Sequence, residues 1–197
     1  MRGPFLAGPL ESHRLTVAGA IAYRPDRFSD DRGWTGEVHA PGLLAALGLD
    51  FRPVQENQSF SERAGTVRGL HFQRAPHTQA KIVRVAAGAV WSVILDLRHG
   101  SPSFETATGL RQSAANGICL HVPAGCAHGV MTLEDNTVLN WTSDAPFKGE
   151  AADGVFWNDP ALDIDWPMAA SAASVGDRDA QLPVLSGQPY RFKAGTA

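Results

Sequence analysis

Short apolar runs separated by glycine, proline, asparagine and aspartate restrict the fold of this sequence more than any other feature. They recur from about residue 15 to residue 145, and the clearest are 80–85, 89–97, 117–122, 130–133 and 137–142. Runs of this length between turn-forming residues are typical of β-strands. The segment 90–97 is rich in β-branched and apolar residues and ends in a turn signal at 98–102, so we predict a buried strand there.

Helical patterning is limited to residues 43–49, closed by Gly48, and a short piece near 169–180. Many short antiparallel strands with frequent turns favour a closed barrel or a double-sheet jelly roll, whose interior can hold a ligand between inward-facing side chains. Residues beyond Pro183 show no convincing periodicity, and no repeat or linker is evident. We predict one all-β domain over residues 1–197, with a core over about 20–183 and a tail.

Charge and cysteine content exclude several classes of protein. A net charge of −3 and a pI near 6.1 provide no overall basic field, so we expect no binding to nucleic acid or to an anionic membrane. No stretch reaches the roughly 18 apolar residues of a membrane span, and the N-terminus lacks the order of a secretory signal, so we expect a cytoplasmic protein. Cys119 and Cys126 are too few for a disulfide framework and lie in an apolar region, which predicts reduced, buried thiols.

The segment Val-Arg-Gly-Leu-His-Phe-Gln at 67–73 is the best candidate for a catalytic segment. It places His71 in a strand-like stretch after Arg68, and Lys81 and Arg84 follow after a short gap. A histidine exchanges protons near neutral pH, and neighbouring cations can hold an anionic substrate or a developing oxyanion. The segment taken alone is equally compatible with a histidine of the core or of a sheet edge.

A second candidate is the turn Pro-Ala-Gly-Cys-Ala-His-Gly at 123–129, which has the Pro-x-Gly-x-x-His order of the second cupin motif. In cupins this turn delivers a histidine to the mouth of the barrel, here His128. Metal-binding cupins also need a His-x-His pair and a glutamate to complete three or four ligands. His71 has no such neighbour, and His77 follows Pro76, so we predict no metal site.

Taken together and in order, the motifs resemble the dTDP-4-dehydrorhamnose 3,5-epimerase family, which are cupins that epimerise 4-keto-6-deoxy nucleotide sugars. The likeness covers about residues 20–183. The matching segments are 28–33 with Glu37, 55–59, 67–73, 79–81 with Arg84, 96–98 with 101–104, 123–129, 157–160 with 166–167, and 177–179.

The resemblance implies a cupin-type jelly roll, a reaction that needs no cofactor, and a set of site residues. His71 matches the family's base, Asp179 its orienting carboxylate, with Asp177 the less favoured alternative, and Lys81 the cation beside the C4 oxygen. A second set matches positions that bind the sugar, the diphosphate or the base: Arg32, Glu37, Gln55, Asn57, Arg68, His128, Trp141 and Phe147. Asp96, Arg98 and segment 157–160 are interpreted as structural.

The chain departs from the family at its second catalytic acid, a tyrosine. Counting without a gap from Leu133 places Trp141 there, and a slip of one residue would place Asn140 there; neither side chain is a comparable acid. The aromatic position after the Arg-Gly pair is Thr35, with Trp34 adjacent. We therefore predict that His71 still abstracts a proton but that the set of epimerised sugar positions is narrower or altered. Epimerisation at C3 alone is one such outcome.

Two other functions stay open on the sequence. One is a nucleotide-sugar-binding cupin that has lost activity, favoured by the missing tyrosine, and the other is a metal-dependent cupin enzyme, favoured only by His128. For partners, the resemblance implies a homodimer formed by sheet extension, in which the N-terminal strand contributes to the neighbour's site.

Overall fold

The computed structural model describes residues 11–189 and 192–193 as a β-sandwich with short helical segments. The strands are β1 (Glu11–Arg14), β2 (Ile21–Arg24), β3 (Phe28–Asp30), β4 (Gly33–Thr35), β5 (Gln55–Ser61), β6 (Thr66–Gln73), β7 (Lys81–Ala87), β8 (Ala89–Asp96), β9 (Arg98–His99), β10 (Ala107–Ser113), β11 (Cys119–Val122), β12 (Cys126–Thr132), β13 (Thr137–Ser143), β14 (Ala152–Gly154), β15 (Ser174–Val175) and β16 (Phe192–Lys193). The α-helices are α1 (Pro41–Ala46) and α2 (Asp177–Ala180), and single 3-10 turns span Gly149–Ala151, Pro160–Leu162, Ala170–Ala172 and Leu185–Gly187.

Two sheets face each other as a jelly roll. In the described part of the chain, the first sheet has the order β1-β2-β11-β7-β13-β5, and the second has the order β10-β8-β12-β6-β14 with β15 alongside β6. All pairings within these sheets are antiparallel except that of β15 with β6. The predicted all-β jelly roll is therefore confirmed.

Alternation of side chains along each strand divides the inside of the sandwich from its outside. Val83 of β7 packs in the apolar core between the sheets, whereas its neighbour Ile82 packs outside against α1. In the second sheet Cys126 faces inward and Ala127 packs outside against the C-terminal segments. The apolar core fills one end of the sandwich, which leaves the other end open for a cavity.

A buried polar side chain joins the two sheets at the closed end. Gln112 of β10 accepts a hydrogen bond from Ser92 Oγ at 2.6 Å and donates to the carbonyls of Val83 and Ile118 at 3.0 and 2.9 Å. Both of its amide groups are thus satisfied, as a fully buried polar group requires.

The sequence predicted most strands in the core correctly, and three boundaries differ. The strand after Pro123 begins at Cys126 rather than at 130. His128 therefore lies within β12 instead of in the turn before it. The helix predicted at 43–49 begins earlier, with Pro41 at its start, and ends before Gly48, whose φ of 72° a helix does not accept. The predicted helical piece near 169–180 is divided into the 3-10 turn Ala170–Ala172 and the one-turn helix α2, with β15 between them.

The segment beyond Pro183 lacks sequence periodicity, but some of its described residues pack on the fold. Leu185 and Phe192 are buried in the apolar cluster on the outer face of the second sheet. Cys119 and Cys126 are free and buried, and burial raises their thiol pKa values to about 11 and about 12. In the described residues no helix is long and apolar enough to span a membrane.

A buried carboxylate holds the loop after β8. Asp96 is fully buried and accepts hydrogen bonds from the backbone and guanidinium of Arg98 and from the hydroxyls of Ser101 and Ser103, at 2.6 to 2.9 Å. Burial alone would raise the pKa of this carboxyl, but the donors outweigh burial and hold its pKa below the ordinary value. This geometry supports a structural role for Asp96 and Arg98.

We expect Asp96→Asn to destabilise the fold by about 3–5 kcal/mol, because it removes the charge that Arg98 faces and turns one acceptor into a donor. Glu134→Gln is the matched control, since Glu134 forms an exposed ion pair with Arg111 at 3.3 Å and its loss costs at most about 1 kcal/mol. Urea unfolding of both variants measures the difference, and equal midpoints would contradict the structural role.

Candidate active site

The open end of the sandwich holds a cavity of about 590 Å³. The first sheet contributes Ser59, Lys81, Val83, Leu139 and Trp141 to its lining. The second sheet contributes Thr66, Val67, Arg68, His71, Phe72, Gln73, His128 and Val130, and α2 contributes Arg178 and Asp179. Of the predicted site residues, seven line this cavity: His71, Lys81, Asp179, Arg68, His128, Trp141 and Phe147.

His71 and Asp179 meet at the wall formed by the second sheet. The Nε2 atom of His71 lies 2.7 Å from Asp179 Oδ1, and the other carboxylate oxygen accepts a hydrogen bond from the backbone N–H of Gly69 at 2.9 Å. Burial acts to raise the pKa of Asp179, but the hydrogen bonds from His71 and Gly69 outweigh it and hold the pKa below the ordinary value. An ionised carboxylate is therefore fixed against the imidazole; Asp177 makes no such contact.

The local backbone explains why Gly69 precedes this histidine. Its φ is 120°, and a Cβ at this position would lie 2.6 Å from the Cα of Gly129 on the neighbouring strand β12. Only glycine permits this close approach of β6 and β12. The N–H of the same glycine donates to Asp179 Oδ2 at 2.9 Å.

Lys81 lies on the opposite wall, at the start of β7. It is half-buried and lines the cavity, and it makes no hydrogen bond or ion pair with any other described residue. Burial lowers its pKa to about 8, because the ammonium loses water without gaining a counter-charge. The wall facing His71 therefore carries an unpaired cation.

His128 lies beside His71, as its register partner across β12 and β6. It is buried, and its Nε2 atom has no hydrogen-bond partner. Burial, together with the charges of Lys81 and His71, lowers its pKa to about 3, so the ring is neutral. Within residues 11–189 and 192–193, no three His, Cys, Asp or Glu side chains gather as a metal site would require.

Trp141 occupies the cavity-facing position of β13. It is paired with Val83 of β7 and Asn57 of β5, and it lines the cavity. Asn140 points to the other side of the sheet, where its Oδ1 accepts a hydrogen bond from Gln58 at 3.0 Å. The one-residue slip that would have placed Asn140 in the site is wrong, because side chains of adjacent strand residues face opposite sides.

Side-chain amides hold the segment that follows β13 across the cavity mouth. Gln79 donates to the Ala145 carbonyl at 2.6 Å, Gln55 accepts from the Phe147 N–H at 2.8 Å, and Gln73 accepts from the Lys148 N–H at 2.6 Å. Gln73 also donates to the carbonyls of His77 and Pro146 at 2.7 and 3.3 Å. We call residues 144–149 the strap; it presents the exposed ring of Phe147 at the rim.

Arg68 borders the cavity with its guanidinium exposed. It donates to Ser61 Oγ at 3.2 Å and to the Phe60 carbonyl at 3.1 Å, which orients it along β6. Arg178 of α2 lines the same cavity, so two cations border its opening. A cavity with cations at its opening is suited to an anionic ligand.

Four predicted binding residues lie outside the cavity lining of a single chain. Gln55 and Asn57 share a strand face with Ser59 and are hydrogen-bonded to each other at 2.6 Å. Arg32 and Glu37 are exposed, in and just after the β3–β4 hairpin, and Arg32 pairs with Asp30 at 2.6 Å rather than with Glu37. This hairpin also exposes Phe28 and Trp34.

The sequence prediction missed several lining residues. Ser59 is two positions from Asn57, so the two-residue period of a strand could have identified it. Arg178 precedes Asp179 on α2, and Asp153 reaches the cavity from β14, where no sequence pattern indicated a strand.

Comparison with known proteins identifies the family of the chain. The sequence model for dTDP-4-dehydrorhamnose 3,5-epimerase matches residues 14–187. A Sinorhizobium fredii protein of that name is 39% identical over 179 residues, which is 91% of each chain.

Two solved structures give the same result. The dTDP-4-dehydrorhamnose 3,5-epimerase of Bacillus anthracis, with TDP and PPi bound, is 39% identical with a TM-score of 0.86, over 89% of this chain and 99% of that one. A 3′-monoepimerase of Streptomyces bikiniensis in complex with dTDP-quinovose is 30% identical with a TM-score of 0.81, over 88% and 87%. The chain therefore belongs to the dTDP-4-dehydrorhamnose 3,5-epimerase family, isomerases with a cupin-type jelly roll.

Proposed function

We propose that this chain epimerises a dTDP-4-keto-6-deoxy sugar by removing a proton next to the C4 ketone, at C3 in preference to C5. The observation that carries the proposal is the His71–Asp179 pair, at 2.7 Å, in a cavity whose opposite wall carries Lys81. A ketone acidifies the neighbouring C–H bonds, so the reaction needs a base, an acid and a cation for the enolate.

His71 is the base. The ionised carboxylate of Asp179 accepts a hydrogen bond from the Nε2–H group of His71, which leaves Nδ1 as the basic nitrogen. The Gly69 N–H holds the second carboxylate oxygen, so Asp179 keeps the imidazole in one orientation and stabilises the imidazolium that forms. The two residues thus form a general base whose geometry is set before substrate binds.

Lys81 stabilises the enolate. An unpaired, half-buried ammonium on the cavity wall attracts the developing negative charge on the C4 oxygen more strongly than it would in water. His128 stays neutral and offers its unpartnered nitrogen to a sugar hydroxyl without adding charge. Arg68, at the cavity mouth, is suited to the diphosphate, because a guanidinium donates two parallel hydrogen bonds to phosphate oxygens.

The remaining binding residues act between two copies of the chain. Arg32 and Glu37 lie on an exposed hairpin, outside the cavity of their own chain, which agrees with the family resemblance in which the N-terminal region serves the neighbouring site. Among the described residues β5 pairs only with β13, so its outer edge is available for sheet extension. We infer a homodimer with shared sites.

Preference for C3 follows from Trp141. The indole N–H does not ionise, so the position that holds the family's tyrosine supplies no comparable acid. The similarity to a protein described as a 3′-monoepimerase supports a single site of inversion. The absent hydroxyl also supports a second candidate function, a nucleotide-sugar-binding protein without turnover.

The proposal predicts that His71→Asn lowers deuterium uptake from heavy water into dTDP-4-keto-6-deoxyglucose by about 10²–10⁴-fold, because the proton acceptor is lost. NMR reads uptake separately at C3 and C5. His99→Asn, an exposed histidine on β9 outside the cavity, is the control and should keep the wild-type rate. Full uptake in His71→Asn would exclude this base, and none in the wild type would favour the binding protein.

Trp141→Tyr should raise uptake and inversion at C5 relative to C3 at least tenfold, because it returns an ionisable hydroxyl to the cavity wall. Trp141→Phe is the matched control, since it makes a similar cut in volume without the hydroxyl. A C3 to C5 ratio that stays the same in the tyrosine variant, or changes equally in both, would show that the hydroxyl does not control the outcome.

Shared sites predict complementation between two defective chains. Arg32→Ala and His71→Asn homodimers should each be weakly active, while mixed dimers should recover about half of the wild-type rate. One site then combines an intact His71 with the partner's intact arginine. Mixed dimers of Lys81→Ala and His71→Asn should recover nothing if Arg32 acts across the dimer and the other two act within one chain. Equal inactivity of both mixtures would contradict sharing of the hairpin.

A further inference from the structure

We propose that Lys81 delivers the proton to the face of the sugar turned away from His71, and so takes over the task of the absent tyrosine hydroxyl. This inference rests on the proposed function and assigns Lys81 a second role beyond stabilising the enolate. It is based on the side chains that the first sheet contributes to the cavity lining.

That wall holds a single titratable side chain within the described residues. Its lining consists of Ser59, Lys81, Val83, Leu139 and Trp141. The serine hydroxyl and the indole do not ionise near neutral pH, and the other two are apolar. His71, His128, Asp153 and Asp179 belong to the second sheet or to α2, on the side of the base.

The strand register places Lys81 close to Trp141, which occupies the position of the family's tyrosine. On the paired strands β13 and β7, Trp141 lies opposite Val83 and Ser143 lies opposite Lys81. Lys81 and Trp141 are therefore diagonal neighbours on one face, a separation of about 7–8 Å between backbone positions. Both side chains line the same cavity, so the ammonium and the indole face one ligand space.

The ammonium is also free to give up a proton. No described side chain or carbonyl bonds to it, and burial brings its pKa to about 8, close to the value that favours proton transfer near neutral pH. Arg68 and Arg178 belong to the second sheet and to α2, on the side of the base, and do not lie on this wall. Neutral His128 holds its remaining N–H proton too tightly to donate it.

Inversion at C3 requires one proton to leave one face and another to arrive on the opposite face. The C3–H bond breaks, His71 Nδ1 takes the proton, and the bonding electrons form the enolate. An N–H bond of Lys81 then breaks, its electrons stay on nitrogen, and the enolate electrons form a new C3–H bond on the opposite face as the ketone returns. The imidazolium releases one proton to water and the amine takes one from water, so no other reactant is consumed.

Lys81→Arg separates the two roles, because arginine keeps the positive charge but does not release a proton. The assay runs in heavy water with dTDP-4-keto-6-deoxyglucose and reads both deuterium at C3 and configuration at C3. The wild type should give deuterium with inversion. Lys81→Arg should still incorporate deuterium with retention, through exchange on His71, while inversion falls by about 100-fold or more.

Trp141→Tyr placed in the Lys81→Arg background should restore inversion at least tenfold, since it supplies a second donor to the same face. Lys193→Arg, on exposed β16, is the conservative control and should behave as wild type. Circular dichroism melting and dTDP binding establish that each variant is folded.

Three results overturn the inference. Exchange and inversion that both stay at wild-type rates in Lys81→Arg would assign donation to water or to a partner's group. Equal loss of exchange and inversion would confine Lys81 to the enolate, and failure of the tyrosine to restore inversion would separate the two positions. Absence of exchange in the wild type would instead refute the proposed function.

Discussion

The contact of one carboxylate with both a backbone and a side chain organises this molecule. Asp179 accepts a hydrogen bond from the Gly69 N–H and another from His71, across sequence separations of 110 and 108 residues. It thereby fixes a one-turn helix near the C-terminus to a central strand of the second sheet. The same atoms orient the imidazole, so the packing of the C-terminal segment and the geometry of the site depend on one interaction.

Much of the architecture follows from local patterns in the sequence. The period of two along β7 and β13 indicates which side chains face inward, and turn-forming residues mark where strands end. That period also resolves the choice between Trp141 and Asn140 once the strand register is known. The pairing of His71 with Asp179 is different, since no local pattern connects residues so far apart, and only the ordered family motifs predicted it.

The sequence did not predict other features of the fold, because these depend on long-range contacts. The strap has no strand periodicity and is held by amides from three separate segments, so nothing in its own residues indicates where it lies. The single chain leaves Arg32 and Glu37 outside the cavity, although their motif resembles that of binding residues. A motif specifies a residue type and an order, but not the place of those residues in the folded chain.

The strap is held by hydrogen bonds other than those that orient His71. Side-chain amides of Gln55, Gln73 and Gln79 hold it instead of a continuous strand ladder, so we expect the strap to open at a lower free energy than the sandwich unfolds. Substitutions at the rim can therefore change which ligands enter and how long they stay, while the hydrogen bonds that position the imidazole are left intact. The rim of the cavity and the orientation of the imidazole thus depend on two separate groups of hydrogen bonds.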